Sequence, residues 1–386
     1  MAGFSLNRVP GIAVGAGRAA GLGGDVTSHA GEASTVLLVA DPGLAAIGVT
    51  DTVEAGLTSG GQRVVRFEDF TSDPQERQVA AGARAAEESG AALVVGLGGG
   101  SALDAAKMIA AMAGSPRPVE AFRMAAAPLP DRGVRLFCLP TTAGTGSETT
   151  SVSILSDADH RKVWFWGETL KPDLVVLDPM LTVGLPPALT AATGLDALVH
   201  AIEAATNKNA SPGSDLYAFA AIAMALEFLP RAVSRPDDLE ARERMLLSAA
   251  FAGIAIDNAG TALAHNIGHA LGSLMPIHHG RAVAIGMAAS LPWVIEGNRA
   301  AFDRVAAAFG LDSADALPER FGALIDELKI DRSLPQELDA ATLSARMAAP
   351  ENAAMLLSTA RAASPADLDN LAAAVIAQTT QSSEAA

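Results

Sequence analysis

The chain is short of cysteine, of positive charge and of long apolar runs. A single cysteine, Cys138, occurs in 386 residues. That excludes an internal disulfide and fits a reducing compartment. It lies in the apolar run VRLFCLP, the setting of a buried structural thiol rather than a nucleophile. Basic residues number 27 against 43 acidic ones, a formal net charge of −16. This balance argues against nucleic acid and anionic membrane surfaces as partners. It also means that any anionic ligand must be held by local positive or metal-centred sites. The opening MAGFSLNRVP has no apolar h-region, so no secretory leader is expected. No run of about 18 uninterrupted apolar residues suggests a membrane span. Only 18% of the residues are charged while 50% are hydrophobic, which argues against disorder. No internal repeat is visible.

What is present is enough chain for two domains with separate cores. The first half alternates β-branched runs with alanine-rich helical stretches. The strand candidates are Val36–Ala40, Val64–Phe67, Ala92–Leu97, Val134–Leu139 and Leu174–Leu177, with helices such as Gln75–Ser89 and Ala102–Ala113 between them. This rhythm predicts βαβ units and a mostly parallel sheet. Val152–Leu155 and Lys162–Trp166 read as a hairpin-like insertion. Gly184-Leu185-Pro186-Pro187 marks a break, after which the apolar spacing is helical nearly to the end. Helices are expected at Ala188–Ala205, Ser214–Phe228, Leu239–Gly253, Gly280–Ile295, Ala300–Phe309, Leu317–Leu328 and Pro365–Thr379, with a frayed tail from Thr380 to Ala386. The expected architecture is an α/β nucleotide-type domain, residues 1–184, followed by an all-α domain, residues 185–386. The cleft between two such domains is the default place for a ligand.

The chemistry concentrates in histidine. Four of the chain's seven histidines lie between Thr261 and Arg281: His265, His269, His278 and His279. A fifth, His200, follows Asp196 by four residues in an apolar run, so the two share one helix face. His265 and His269 are likewise four apart on a second apolar helix. Gly280, after His279, suggests a turn that aims that imidazole back. Taken singly, each histidine reads as a satisfied core or cap residue. Together, Asp196, His200, His265 and His279 are predicted to converge on one divalent ion. A carboxylate with three neutral imidazoles suits Fe(II), Zn(II) or another first-row metal.

Glycines and hydroxyls follow two of the strands. AALVVGLGGGS runs through Gly99, Gly100 and Ser101 into a helix carrying Asp104 and Lys107. Such a turn lets backbone N–H groups approach a phosphate at a helix N-terminus, although it is often only a turn. PTTAGTGSE, with Thr141 and Thr142, ends the next strand, where open α/β sheets bind ligands. A decoy lies earlier. Gly15–Ala20, GAGRAA, fits the loose dinucleotide fingerprint with Asp41 following. The strand before it is very short and the helix after it is rich in glycine, so it is set aside. Asp41 itself ends a strand, where a carboxylate accepts bonds from ribose hydroxyls and repels a 2′-phosphate. Its alternative is a cap or turn acid before Pro42.

The stretches LDPMLTVGLPPALTAATGLDALVHAIE, residues 177–203, and AHNIGHALGSLMPIHHGRA, residues 264–282, are similar to the two signatures of the iron-containing, group III alcohol dehydrogenases. The resemblance runs from about Ile12 to beyond Trp293. It implies the dehydroquinate synthase-like fold of that family and NAD(H)-linked oxidation of a small alcohol or reduction of an aldehyde. By position it implies Asp196, His200, His265 and His279 as ligands of the metal, Fe(II) ahead of Zn(II), and His269 as the catalytic histidine that stays off the ion. GGGS and PTTAGTGSE resemble the family's cofactor loops, and the resemblance adds a cofactor role for Lys162, which by sequence alone reads equally as a solvated hairpin charge. Two positions depart from the pattern. His278 stands where many relatives have proline. Asp73 stands where asparagine is common, setting an anion at a cofactor contact.

Three other readings compete: a transhydrogenase with tightly held nicotinamide, a dehydroquinate synthase-like lyase, and a non-catalytic metal-binding scaffold. A phosphorylated lyase substrate would need a basic cluster near the metal, and Asp196 is an aspartate where a glutamate would suit the lyase. Leu274, Met275 and Ile277 point to a small, mainly aliphatic pocket. The alanine-rich helices and an edge strand near Ile12–Val14 point to a homo-oligomer, at least a dimer, in the cytoplasm.

Overall fold

A computed structural model describes residues 3–159, 161–335 and 337–383. The chain divides into two compact units. One holds Arg8–Leu185 and Asp237–Leu246; the other holds the segment through Asn7, Pro186–Pro236 and the chain from Leu247 onward. Two segments therefore cross the break at Gly184–Pro187. Asn7 is tied to the helical unit by a bond from its backbone N–H to Asn258 Oδ1, 2.7 Å. Arg242 is tied to the α/β unit by a bond to the Leu185 carbonyl, 3.3 Å.

The α/β unit runs β1 (Gly11–Val14), α1 (Leu22–Ala30), β2 (Thr35–Ala40), α2 (Val49–Ser59), β3 (Arg63–Phe67), α3 (Glu76–Ser89), β4 (Leu93–Gly98), α4 (Gly100–Met112), β5 (Arg135–Pro140), β6 (Val152–Ser156), β7 (Lys162–Trp166) and β8 (Leu174–Leu177). Six strands form one sheet in the order β1-β8-β5-β4-β2-β3, and every pairing in it is parallel. β6 and β7 form a separate antiparallel pair, the expected hairpin. Strands β2 and β4 are continuous apolar runs because helices cover both faces of a parallel sheet. Their residues alternate between layers. Leu37, Val39 and Val94 enter a core with residues of α3 and α4; Val36, Leu38, Leu93 and Val95 enter another with residues of α1 and α2. Burying each such side chain contributes roughly 1.5–3 kcal/mol.

The glycines after β1 do not prevent a helix. A Cβ on Gly23 would come within 2.6 Å of Gly60 Cα, and one on Gly56 within 2.2 Å of the Ala19 carbonyl oxygen. Gly23 of α1 and Gly56 of α2 are there for close packing. The order of strands places a reversal between β2 and β4, since the chain leaves β2 for β3 on one side and β4 for β5 on the other. Ligands of open α/β sheets bind outside the carboxyl ends of the strands at such a point.

The helical unit runs α5 (Pro187–Thr206), α6 (Pro212–Ser234), α7 (Leu239–Ala259, entering this unit at Leu247), α8 (Leu263–Leu274), α9 (His279–Ile295), α10 (Arg299–Ala308), α11 (Leu317–Glu327), α12 (Ala340–Met347), α13 (Ala353–Ser358) and α14 (Pro365–Ser383). Pro187 begins α5, where the missing N–H costs nothing. Ser211 and Ser214 form a reciprocal cap at the start of α6. From Thr190 to Thr206 every residue of α5 is buried. Ile267, Leu271, Ile285, Leu343, Leu371 and Val375 join α8, α9, α12 and α14 in one core. Helix α6 is, among the described residues, the one helix whose length and average hydropathy suit a membrane span. It packs against α5, burying Ala218, Ala221, Ile222 and Ala225, as a core helix does. The tail expected to fray from Thr380 is helical as far as Ser383; Glu384–Ala386 lie outside the described residues.

Candidate functional site

In the helical unit, three helices bring one carboxylate and four imidazoles together. Helix α5 carries Asp196 and His200, α8 carries His265 and His269, and α9 begins at His279. Asp196 Oδ1 lies 3.4 Å from His265 Nε2, 3.6 Å from His279 Nε2 and 4.0 Å from His200 Nδ1. The His200 and His265 rings stack at 4.2 Å. Atoms of Asp196, His265 and His279 suited to ligation all fall within 4.8 Å of one another. A tetrahedral ion with bonds near 2.1 Å spaces its ligand atoms about 3.4 Å apart, so these separations fit one ion. Asp196 and His265 are each 2% exposed, whereas the His279 side chain is 41% exposed, leaving one open side. Asp196 Oδ1 and His265 Nε2 are buried and make no hydrogen bond. Two orphaned polar atoms facing each other are costly unless something sits between them.

Glycines permit this convergence. A Cβ on Gly280 would sit 2.1 Å from the Ala192 carbonyl oxygen and 3.3 Å from Asp196 Cβ. Gly280 is thus the point where α9 touches α5. It is helical, not the turn expected from the sequence. Gly286 meets the Ala264 carbonyl and Gly268 meets Val283 in the same way, each with a Cβ clearance under 3.0 Å, drawing α8 and α9 together.

His269 stands half-buried outside the tight group, its ring 5.4 Å from that of His279. His278, the N-cap residue of α9, is exposed.

Burial would raise the Asp196 carboxyl, but His200, His279 and His265 outweigh it and hold the group well below the usual range. Burial would lower the His265 imidazole, but Glu203, and then Asp196, carry it up to about 9. Glu203 is a residue the sequence reading missed. Its signal was available: it lies seven residues after Asp196, on the same face of α5. It is 3% exposed and accepts from Ala262 N at 2.7 Å, Ala264 N at 2.6 Å and His265 Nδ1 at 2.7 Å.

In the α/β unit, the carboxyl ends of β2, β4 and β5 gather the second set of residues. Asp41 N donates to the Leu97 carbonyl at 3.0 Å, joining the two strands at the reversal. The Asp41 side chain caps a short 3-10 helix, Pro42–Ile47, with Oδ1 accepting from Gly43 N at 2.9 Å. The cap reading of this acid is therefore realised, with its other oxygen left over. Gly98, at φ +148°, would place a Cβ 2.6 Å from Ala102 Cβ and 3.0 Å from Asp41 Cβ, and Gly100 would meet Thr145 Cγ2 at 2.7 Å. Part of the glycine signal is thus internal packing. Gly99 is looser, 3.4 Å from Thr142, and precedes α4 with no side-chain cap bond. Thr141 N donates to the Gly98 carbonyl at 3.0 Å. Ser101 Oγ donates to the Ser72 carbonyl. The next residue, Asp73, pairs with Lys162. These two positions meet each other, a contact across 89 residues that no local pattern announces.

The loop after β5 is pinned from beneath. Lys107, fully buried, donates to Ser147 O at 2.9 Å, Ser147 Oγ at 3.1 Å and Thr150 Oγ1 at 3.1 Å. Asp104 accepts from Ser147 Oγ at 2.5 Å and Ile154 N at 2.9 Å. The decoy turn has its donors occupied: Gly17 N and Ala19 N point at the Asp178 carboxylate, 3.0 and 2.9 Å away.

Residues 10–179 match the iron-containing alcohol dehydrogenase family, and residues 190–374 match the Fe-containing alcohol dehydrogenase family, C-terminal. The choline dehydrogenase of Bacillus subtilis (strain 168) is 35% identical over 321 residues, 82% of this chain and 79% of that protein. The probable alcohol dehydrogenase EutG of Escherichia coli (strain K12) is 40% identical over 282 residues, 72% of this chain and 70% of that protein. Among solved structures, the sulfoacetaldehyde reductase of Bifidobacterium kashiwanohense in complex with NAD+ superposes with a TM-score of 0.89 at 25% identity, covering 97% of this chain and 99% of that one. On the two family matches and the extent of these identities, the chain belongs to the iron-containing alcohol dehydrogenase family.

Proposed function

We propose that the protein is a metal-dependent, NAD(H)-linked alcohol dehydrogenase and aldehyde reductase acting on a small, mainly aliphatic substrate. The observation that carries this reading is the pair of orphaned buried atoms, Asp196 Oδ1 and His265 Nε2, 3.4 Å apart with two further imidazoles beside them. Asp196, His200, His265 and His279 hold the ion, Fe(II) in preference to Zn(II). The helical unit acts as the metal-binding and substrate domain, and the α/β unit, Arg8–Leu185 with Asp237–Leu246, as the dinucleotide-binding domain. The cofactor is received at the carboxyl ends of the strands by Asp41, Gly99, Gly100, Ser101, Thr141 and Thr142, with Lys162 and its partner Asp73 at the edge.

When bound, the ion would supply charge stabilisation at the alcohol oxygen, and the nicotinamide would serve as hydride acceptor or donor. The protein's own residues do the rest. Backbone N–H groups around Gly99 and the N-terminus of α4 neutralise the pyrophosphate. Asp41 orients the adenosine ribose. His269, one helical turn beyond His265, passes the alcohol proton through its imidazole to water. Leu274, Met275 and Ile277 supply an apolar wall. The working form is a homodimer, for which the support is β1 at the sheet edge with β8 as its neighbour, and its compartment is the cytoplasm, for which the support is the single cysteine.

The test is NADH absorbance at 340 nm across a panel of alcohols, on protein reloaded with Fe(II) or Zn(II). Turnover with small alcohols is expected, together with loss of bound ion in His265→Ala and His279→Ala. Full metal occupancy and activity in both variants would sink the assignment.

A further inference from the structure

We infer that Glu203 is a positioning residue for the metal centre: its carboxylate fixes which ring nitrogen of His265 carries the proton and, through the same atoms, fixes where α8 begins. The inference rests on the ligand reading above. Both Glu203 oxygens already accept from backbone N–H groups, which can only donate: Ala262 N on Oε2 and Ala264 N on Oε1. His265 Nδ1 lies 2.7 Å from Glu203 Oε2, so Nδ1 carries the hydrogen and donates it. When a cation displaces the proton that Asp196 otherwise favours on Nε2, that nitrogen is left with its lone pair turned toward the ion, the arrangement a ligand requires. The opposite tautomer would place an N–H where the ion belongs.

The same carboxylate organises the backbone. Helix α8 has no side-chain cap of its own at Ala262. Ala262 N and Ala264 N, left without intrahelical partners at a helix start, donate instead to Glu203. An anion at a helix N-terminus is also favoured by the helix dipole. One helical turn further on, Asn207 Nδ2 donates to the Ala259 and Gly260 carbonyls at 2.9 and 2.8 Å, closing the end of α7. The bend between α7 and α8 is thus held from α5, and α5 also carries Asp196 and His200. Both sides of the centre are referenced to one helix. Glu203 is buried and its hydrogen bonds all go to Ala262–His265, so it acts through His265 and not on substrate.

The experiment uses the full-length protein, stripped of metal and titrated with Co(II) or Zn(II) alone against a chromophoric chelator. Wild type, Glu203→Gln, Glu203→Asp and His265→Ala are compared. Glu203→Gln keeps the size and the polarity but sets one N–H group against a donor that it should accept. The expected result is a helical circular dichroism spectrum like that of wild type, metal affinity weakened about 10- to 100-fold, and a shifted visible absorption band for bound Co(II). Glu203→Asp, which keeps the charge one methylene short, should show a smaller loss and serves if the glutamine variant fails to fold. A purely structural role would lower the melting temperature of the metal-free protein and leave the affinity and the Co(II) band of the folded variants unchanged; that outcome overturns the inference. If His265→Ala binds the ions as wild type does, the ligand reading fails, and the role given to Glu203 with it. If His265→Ala loses the metal while both Glu203 variants match wild type, only the role of Glu203 fails.

Discussion

Replacing Asp41 with asparagine separates cofactor choice from folding at a single atom. One carboxylate oxygen accepts from Gly43 N at 2.9 Å and caps the short helix that follows β2. Asparagine retains an oxygen for that bond, whereas alanine would forfeit a cap worth about 1 kcal/mol. What asparagine removes is the negative charge, on a half-buried residue. NADP(H) carries a phosphate on the ribose 2′ oxygen. A like-charge pair about 4 Å apart costs roughly 1 kcal/mol with the screening of bulk water and roughly 4 kcal/mol at an effective dielectric near 20. A half-buried group lies between these limits, and about 2–3 kcal/mol corresponds to a penalty of roughly 30- to 150-fold. No lysine or arginine occurs between Glu32 and Gln62 to offset it. On the NAD(H) side, turning a charge-assisted bond into a neutral one costs about 1 kcal/mol, or roughly fivefold. The wild type is therefore expected to prefer NAD(H), and Asp41→Asn to improve kcat/KM for NADP(H) while weakening it modestly for NAD(H). The assay is kcat/KM for both cofactors with one alcohol, at low and high salt. Equal use of the cofactors by the wild type, or an unchanged ratio in the variant, would show that Asp41 does not face the ribose.

His269→Ala should keep its metal, as measured by elemental analysis, and lose turnover with a changed pH–rate profile; a variant without metal would make His269 a ligand. Asp73→Asn releases Lys162 from its ion pair and removes an anion beside the cofactor turn, so NADH should bind about 2- to 10-fold more tightly by fluorescence titration; weaker binding would mean that Asp73 itself holds the cofactor. Glu148, buried with Oε1 unpartnered, is raised by burial from 4.5 to about 7. Between those pH values the folded state binds more protons than the unfolded chain, so its stability falls as pH rises through about 4.5 to 7 and then levels, a loss of about 3 kcal/mol. Glu148→Gln should flatten that slope in urea titrations at pH 5 and pH 8 and be the more stable protein at pH 8; an unaltered slope would place the pH dependence elsewhere.

The parallel sheet was legible because a doubly covered sheet writes its strands as unbroken apolar runs, and Val36–Ala40 and Leu174–Leu177 lie within a residue of the observed β2 and β8. The pairs Asp196 with His200 and His265 with His269 were legible because helical period puts residues four apart on one face. Helices α1 and α2 were not named among the expected helices, and both carry glycine. Those glycines are needed where Gly23 meets Gly60 and Gly56 meets Ala19, and such contacts between elements leave no local trace. Gly280 misled for the same reason. A glycine after a histidine looks like a turn, yet the missing Cβ serves the approach of α9 to α5.

Charge was the least legible feature, because a charged residue in sequence does not name its partner. Lys107 and Asp104, three apart in the apolar stretch GSALDAAKMIAAM, were visible as an oddity in α4. Their use became clear only when Ser147 and Thr150 were found closing on them. A buried ammonium without such partners would cost several kcal/mol, so the loop carrying Thr141 and Thr142 is held by a network that must form whole. Glu203 follows the same logic in the other unit. It is a buried acid whose three acceptor bonds all go to one short stretch, Ala262–His265. In both units a charge on one buried helix fixes the loop or helix start that presents the candidate site.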